Sequence, residues 1–350
     1  MLTETILIGI FVILLLIYLW VQFFTTWYEA HYLETNSILV LQTLLGFSLV
    51  YMTIKGDASL PSVFVILILI WSILAFSLVI LRFVFFDDLR VRTTSHVAHM
   101  RTHIGVNHKK ISLTSSDNIK LAGIHIQNGN SKVIILCHGG FRSKNETSNA
   151  FLAQWLSRDF DIISYDARGH FESGGYWDGD AGNVMDLLRV IDYAKAQSYS
   201  KIGIIGRSLG GRTALLAAAE SAAIDSVIVI SSPLASLEEI PKFRYLNGLH
   251  FILRAPLRAI QGLRYRHMDS DILPPIDLVE QFTLPVFLIY PNEDPIAGIT
   301  ESDVRYFYNK LKCVKKIHIF QERLHLMATW HLGPVYTMAS DWFEETLSDE

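Results

Sequence analysis

The sequence predicts an α/β domain that follows three membrane-spanning helices, and two patterns along its 350 residues carry this prediction. Long runs without charged residues fill most of residues 1–86. From residue 132 onward, short apolar runs rich in β-branched residues alternate with segments of helical composition. This alternation is typical of a mostly parallel sheet with helices on both faces. The composition, 51% hydrophobic against 18% charged residues, is also too apolar for an ordinary soluble protein.

Transmembrane helices are predicted at about 6–24, 38–54 and 63–81. The first of these runs contains no charged residue and is long enough to cross a hydrocarbon core of about 30 Å. A signal peptide explains it poorly, because no Lys or Arg precedes the run and no small-residue cleavage site follows it. Buried core helices are the other alternative, and three such runs joined by very short links argue against them.

The basic residues around these runs predict the orientation in the membrane. Lys55 stands alone between the second and third spans, whereas six basic residues lie within 82–110. Because basic residues stay on the cytoplasmic side, the C-terminal domain is expected in the cytoplasm and the N-terminus on the opposite side. The two cysteines, Cys137 and Cys313, cannot form a disulfide framework, which agrees with a reducing compartment.

Residues 87–108 are expected to be a polar linker that leads into the α/β domain at 109–350. His96, His99 and His103 have a spacing found in metal sites, but no Cys or carboxylate accompanies them, so a solvated linker is the simpler interpretation. No metal or cofactor is therefore expected. The net charge of -4 argues against a nucleic-acid partner.

The elements of the α/β domain are predicted in a regular order. Residues 109–126 contain two strands joined by a Ser-Ser-Asp-Asn turn. Further strands are expected at 132–140, 161–169, 201–208, 226–233, 285–294 and 315–320. Helices are expected at 146–157, 180–197 and 209–221, and one more helix between the last two strands.

A candidate nucleophile stands at the end of the strand that begins at residue 201. Ser208 lies in the sequence Gly-Arg-Ser-Leu-Gly at 206–210, and a helix is predicted to begin directly after it. Such a strand-to-helix turn is strained and projects the serine hydroxyl away from the backbone. The flanking glycines are needed because a side chain would clash where strand and helix meet. The helix N-terminus adds free N–H groups beside the hydroxyl.

A nucleophilic serine also requires a base and an orienting acid. Glu293 and Asp294 follow one predicted strand, and His325 and His331 follow the last one. The carboxyl ends of parallel strands meet at one edge of a sheet, so we expect these side chains to approach Ser208.

N–H groups that would bind an oxyanion are expected in two places. One is Gly140 or Phe141, directly after the first parallel strand, and the other is Leu209, directly after the serine. His138 is expected to support this loop as a structural histidine rather than to act as a base.

Three motifs in this order resemble the α/β-hydrolase superfamily, and more narrowly its monoglyceride-lipase and serine-aminopeptidase-like branch. They are the His-Gly-Gly sequence at 138–140, YDARGHFESGG at 165–175, and the serine motif at 206–210. The middle motif is similar to the family signature D-x-R-G-x-G-x-S-x-G, except that Phe171 replaces the second glycine. That loop is structural in the family, so the change bears on cap packing more than on catalysis. The predicted membrane spans lie outside the resemblance.

The resemblance implies an α/β-hydrolase fold, no cofactor and roles for five residues. They are the nucleophile Ser208, the orienting acid Asp294, the general base and acid His325, and the oxyanion-binding N–H groups of Gly140 and Leu209. The family places its acid before a stretch such as Asp-Pro-Ile, which favours Asp294 over Glu293. The sequence Leu-His-Leu-Met favours His325 over His331, although Leu324 replaces the usual small residue.

Several polar residues near the motifs keep more than one interpretation. Asp166 and Arg168 are expected to form an ion pair or loop hydrogen bonds. Arg207 could contact a substrate carboxylate or phosphate, or pair with a carboxylate in the turn. Ser231 and Ser232 close a strand and are expected to cap it or to line the pocket.

The fold carries its cap between the fourth and fifth parallel strands, which here corresponds to about 234–283. The segment mixes apolar side chains with the basic residues Lys242, Arg244, Arg254, Arg258, Arg264 and Arg266. This mixture suits a helix that lies against anionic headgroups. A cap that packs on the core with a solvated basic face is equally compatible.

Together these features predict a membrane-anchored serine hydrolase that cleaves a small acyl ester or thioester, lipid-like in character, with membrane lipids as its surroundings. One alternative is a serine aminopeptidase-type peptidase, which would need an acidic site for the peptide amine. A second is a catalytically silent binding or signalling protein, against which the apparently complete triad argues. Epoxide hydrolase and dehalogenase chemistry requires Asp where Ser208 stands. The oligomeric state is left open.

Overall fold

The computed structural model describes residues 108–140, 142–145, 147–177, 179–237, 264, 272–294, 297–321 and 332–348. The predicted spans at 6–24, 38–54 and 63–81, the linker before residue 108, most of the cap, Phe141, His325 and His331 lie outside these residues. Within the described part of the chain, no helix has the length and apolar character needed to cross a membrane.

A central sheet organises the described domain. Its strands are β1 (Lys109–Thr114), β2 (Lys120–Ile126), β3 (Lys132–Cys137), β4 (Asp161–Tyr165), β5 (Lys201–Arg207), β6 (Ser226–Ile230), β7 (Val286–Pro291) and β10 (Lys315–Phe320). A separate pair is formed by β8 (Glu293–Asp294) and β9 (Ile299–Thr300). The eight strands of the sheet have the order β1-β2-β4-β3-β5-β6-β7-β10. β2 runs antiparallel to β1 and β4, and the remaining neighbours are parallel.

Helices cover both faces of this sheet. They are α1 (Thr147–Leu156), α2 (Asp180–Ala196), α3 (Leu209–Glu220), α4 (Pro275–Leu278), α5 (Glu301–Lys310) and α6 (Leu332–Thr346), with a 3-10 turn at Val279–Gln281. One buried apolar cluster joins the sheet to α2, α3 and α5, and a second joins it to α1 and α6. Val133 and Ile135 belong to the first cluster and Ile134 to the second, as the two-residue period of a strand requires. The prediction of a sheet covered on both faces is confirmed.

The predicted elements occur in the predicted order, with small changes at their ends. The strand expected at 132–140 ends at Cys137, because the next residues form a loop. The helix expected at 146–157 is Thr147–Leu156. Helix α6 was not among the predicted elements, and it buries Trp342 and Phe343 against the sheet.

Candidate active site

The turn between β5 and α3 holds Ser208 in a strained conformation. Its φ is 49° and its ψ is -123°, a region that costs a non-glycine residue about 1–3 kcal/mol. A hydrogen bond of 2.8 Å from the Ser208 N–H to the carbonyl of Ile230 holds it there. A Cβ on Gly206 would lie 2.4 Å from the Gly210 oxygen, and one on Gly210 would lie 2.4 Å from the Cys137 oxygen. Both glycines are therefore required by close packing.

The loop that follows β3 lies directly against this turn. A Cβ on Gly139 would be 3.2 Å from Cβ of Ser208, and one on Gly140 would be 2.6 Å from Cδ1 of Leu209. Three of the sequence-predicted site residues, Ser208, Leu209 and Gly140, are thus neighbours. The arrangement brings two glycine-rich backbone segments, from different parts of the chain, beside one hydroxyl.

His138 uses both ring nitrogens to hold this loop. Nδ1 lies 2.7 Å from the carbonyl oxygen of Gly139, so Nδ1 must carry the proton that it donates. Nε2 accepts the N–H of Ala167 at 3.0 Å, which requires it to be unprotonated. The imidazole is therefore neutral and tied to backbone at both ends, as a structural histidine should be.

Asp294 is the last residue of β8, the short strand that follows β7, and its side chain is fully buried. Oδ1 accepts the N–H of Ala297 at 2.9 Å. Glu293, the alternative acid, is half-buried. The preferred base, His325, lies outside the described residues, so the described part of the predicted triad consists of Ser208 and Asp294.

Comparison with known proteins agrees with this geometry. A family model described as the alpha/beta hydrolase fold matches residues 132–257. An esterase of Pyrococcus furiosus, Pf2001, has a TM-score of 0.59 and 19% sequence identity, and the match covers 71% of this chain and 96% of that one. The domain has the fold of the α/β-hydrolase superfamily.

Two curated relatives extend the α/β-hydrolase comparison. The uncharacterized protein YqkD of Bacillus subtilis is 25% identical over 252 residues, which is 68% of this chain and 79% of YqkD. The human serine hydrolase BPHL is 23% identical over 249 residues, which is 62% of this chain and 79% of BPHL. A further solved structure, the hypothetical protein PA2218 of Pseudomonas aeruginosa, has a TM-score of 0.56 at 16% identity and covers 70% of this chain.

The α/β-hydrolase signature loop after β4 is held by a buried lysine that the sequence did not single out. Lys144 Nζ pairs with Asp166 at 2.7 Å and also contacts Glu172, while the Lys144 N–H donates to Asp166 at 2.8 Å. Burial alone would lower the pKa of Lys144, but the two carboxylates raise it overall. Since residue 144 follows the loop of Gly140, this contact ties the candidate oxyanion loop to the signature loop.

The contacts of Arg168 distinguish the two interpretations that the sequence allowed for Asp166 and Arg168. Asp166 and Arg168 do not pair with each other among the described residues; Arg168 pairs with Asp186 at 2.8 Å and with Asp117 at 2.7 Å. Burial would raise the pKa of Asp117, but hydrogen bonds from Arg168 and Ser115 lower it overall. The expected loop hydrogen bonds are present, with partners from β1–β2 and from α2.

Arg207, beside the candidate nucleophile, is buried and turned toward α1. Its guanidinium donates to the hydroxyl of Ser148 and, at 2.7 Å, to the amide oxygen of Asn149. These bonds tie the end of β5 to α1. On the next strand, Ser232 caps β6 by donating to the carbonyl of Ile230 at 3.3 Å, and Ser231 has a φ of 48°.

Arg264, in the cap segment, clamps the signature loop by four hydrogen bonds. Its backbone N–H donates to the carbonyl of Gly169 at 2.7 Å, and its backbone carbonyl accepts the N–H of Trp177 at 2.8 Å. Its guanidinium donates to the carbonyl of Gly175 at 3.0 Å and to that of Ser173. At this residue the contacts favour the second alternative, a cap that packs on the core, because these donors are used within the domain.

Phe171 occupies the place of a signature glycine, and its φ is 39°. Glycine adopts this left-handed region at no steric cost, which explains the family preference. A bulky residue there is strained by about 1–3 kcal/mol.

Two residues near the site were missed because they belong to no motif. Trp177 and Asn183 line a small cavity beside Gly140 and Leu209. The available signal was position: α2 follows β4, so its first turn lies at the same edge of the sheet as the serine. No cluster of metal-ligating side chains occurs among the residues that the structure describes, and the His96 to His103 group lies outside them.

Proposed function

We propose that the α/β-hydrolase domain is a serine hydrolase that cleaves an acyl ester or thioester, with Ser208 as its nucleophile. The observation that carries the proposal is the strained turn at Ser208, with φ at 49°, packed against the loop of Gly139 and Gly140. Strain of this kind persists where it serves to present a side chain. The names of Pf2001, an esterase, and BPHL, a serine hydrolase, are consistent with this activity.

The proposed mechanism follows from the roles of these residues. His325 removes the proton of Ser208 as the hydroxyl oxygen attacks the acyl carbon. The N–H groups of Gly140 and Leu209 stabilise the negative charge on the carbonyl oxygen. As the tetrahedral intermediate collapses, the protonated His325 gives its proton to the leaving alcohol or thiol, and water, activated by His325 in turn, then releases the acyl group. Asp294 keeps the imidazole in the tautomer that accepts the proton.

We also propose that the enzyme is anchored by the three N-terminal spans, with the hydrolase domain in the cytoplasm and a lipid-like acyl substrate. The support is the sequence alone: three uncharged runs before residue 82 and the basic residues that follow the third.

A fluorophosphonate probe tests the nucleophile, because it reacts covalently with an activated serine. The full chain in detergent should be labelled, and Ser208→Ala should abolish labelling. Ser116→Ala, which changes an exposed serine in the β1–β2 turn, should keep full labelling. A folded wild-type protein that resists the probe would instead favour the catalytically silent alternative.

A substrate panel separates the hydrolase from the peptidase alternative. Acyl esters and thioesters should be cleaved with higher kcat/KM than aminoacyl amides. The reverse order would favour a serine aminopeptidase-type activity of the same Ser208 site.

A further inference from the structure

A small cavity lies beside the candidate oxyanion-binding groups. It has a volume of about 20 Å³ and is lined by Gly139, Gly140, Trp177, Asn183, Leu209 and Thr213, among others. We call it the elbow cavity. Gly140 and Leu209, which would hold the carbonyl oxygen of a substrate, line this cavity, so a substrate group that enters it would lie near the reacting carbonyl. The inference below therefore rests on the proposed function and narrows its substrate class.

The amide of Asn183 has a fixed orientation at this cavity. The residue lies in the first turn of α2 and is 5% exposed. Its Nδ2 donates to the carbonyl of Gly179 at 2.5 Å. The opposite orientation would place two oxygen atoms in contact, so Oδ1 must lie on the other side of the amide. Among the described residues, that buried oxygen has no hydrogen-bond donor.

Neighbouring polar groups of the cavity already have protein partners. The hydroxyl of Thr213 donates to the carbonyl of Leu209 at 3.0 Å. Both ring nitrogens of His138 are engaged by the backbone. Among the polar atoms of these three residues, Asn183 Oδ1 is thus the buried one that has no partner from the described residues. A buried acceptor left unpaired has lost its hydration without compensation, and a donor on a ligand would restore the missing hydrogen bond.

We propose that Asn183 selects acyl groups that carry a hydrogen-bond donor, a hydroxyl or an amine, within two carbons of the reacting carbonyl. A hydrocarbon group in the same place would leave Oδ1 buried against carbon, and a polar site rejects such an analogue strongly. The volume agrees with a small group, because about 10–15 Å³ is the space that one water-sized group needs. The enzyme should therefore favour hydroxyacyl or aminoacyl groups over plain short-chain acyl groups.

Matched phenyl esters test this selection in the full chain. The pairs are 3-hydroxypropanoate with butanoate, and 2-hydroxypropanoate with 2-methylpropanoate, in which a hydroxyl replaces a methyl of similar size. The wild type should prefer the hydroxyl member of at least one pair in kcat/KM. Asn183→Leu, with the same branched shape but without an acceptor, should lower that preference by about tenfold or more. Thr213→Val, in the same cavity, should leave the preference unchanged.

A third ester, 3-aminopropanoate, distinguishes the two donors, and Asn183→Asp keeps an acceptor oxygen in place. This variant should retain the hydroxyl preference and cleave the amino ester faster than the wild type, because a carboxylate attracts the ammonium group. It also carries the test if Asn183→Leu does not fold. Equal preferences in the wild type and in both variants, with ester cleavage intact, would overturn the inference and indicate that Oδ1 binds only water. Absence of all ester cleavage would instead count against the proposed function.

Discussion

The side chain at position 208 lies in a strained turn, and in the proposed mechanism its reactivity depends on partners that follow the ends of other strands. Asp294 is buried and receives an N–H bond from Ala297, so its carboxylate is fixed before any substrate binds. A fixed acceptor is what an orienting acid needs, since it must hold one tautomer of an imidazole.

Single substitutions, each matched with a control variant nearby, test these partners. His325→Ala and Asp294→Asn should each lower kcat about a thousandfold or more, because a triad functions as a unit. His331→Ala and Glu293→Gln, the nearby alternatives, should leave kcat close to the wild-type value. Esterase assays on the purified full chain check this. A severe loss in a control variant with full activity in its partner would reverse the assignment.

His170 gives the domain a predictable response to pH. Burial, and next the neighbouring ring of His138, lower the pKa of His170 to about 3. Below about pH 6.5, His170 therefore binds a proton in the unfolded chain that it does not bind in the folded chain. Stability should fall as pH drops from 6.5 toward 3, by at most about 1.4 kcal/mol per pH unit for this group.

Urea unfolding at pH 7 and pH 5 measures this effect. His170→Gln should reduce the difference between the two pH values. Some pH dependence should remain in the variant, because burial also lowers the pKa of His125. An identical pH dependence in wild type and variant would contradict the prediction.

At the scale of elements, Arg264 joins the middle of the cap segment to the core loop that follows β4. Arg264→Ala removes the guanidinium bonds to Gly175 and Ser173, each worth about 1 kcal/mol. The unfolding temperature should fall by several degrees, and KM should rise because Trp177 lines the cavity on the same loop. Arg266→Ala, a nearby basic residue of the cap, is the control. Equal unfolding temperatures for the two variants would argue against the clamp.

The strands and main helices of this domain could be predicted from sequence because each is a local pattern. An apolar β-branched run such as 132–137 can be recognised without knowing its neighbours. The partners of Arg168 could not be predicted in this way, since Asp117 and Asp186 lie far from it along the chain and meet it only after folding. The sequence left two alternatives open at Arg264 for a related reason, because mixed basic and apolar residues suit either a lipid surface or a packed face.

The same contrast between local patterns and contacts formed on folding explains which site residues could be predicted. Ser208 and Gly140 stand in glycine patterns that the close approach of two backbones demands. Asn183 stands in an ordinary helical turn, and its significance comes only from the cavity that it lines.

At the scale of the whole molecule, a membrane segment and an α/β-hydrolase domain are predicted to share one chain. The basic residues at 82–110 place the domain in the cytoplasm in this prediction. A reporter active only in the cytoplasm should therefore be active at the C-terminus and silent at the N-terminus. The opposite pattern would overturn the orientation, whereas activity at both ends would indicate an even number of spans.

The close packing at Gly169 limits how the cap of this domain can be exchanged for another in a chimaeric enzyme. A Cβ there would lie 2.2 Å from the Trp177 nitrogen and 2.3 Å from the Arg264 oxygen, so that this glycine is the point where cap and core backbones interlock. A cap from another enzyme, joined to this domain only at its two chain ends, would lack the backbone contact between residue 264 and this loop. Such a cap would need a residue that makes the contacts of Arg264, and position 169 of this domain would have to remain glycine.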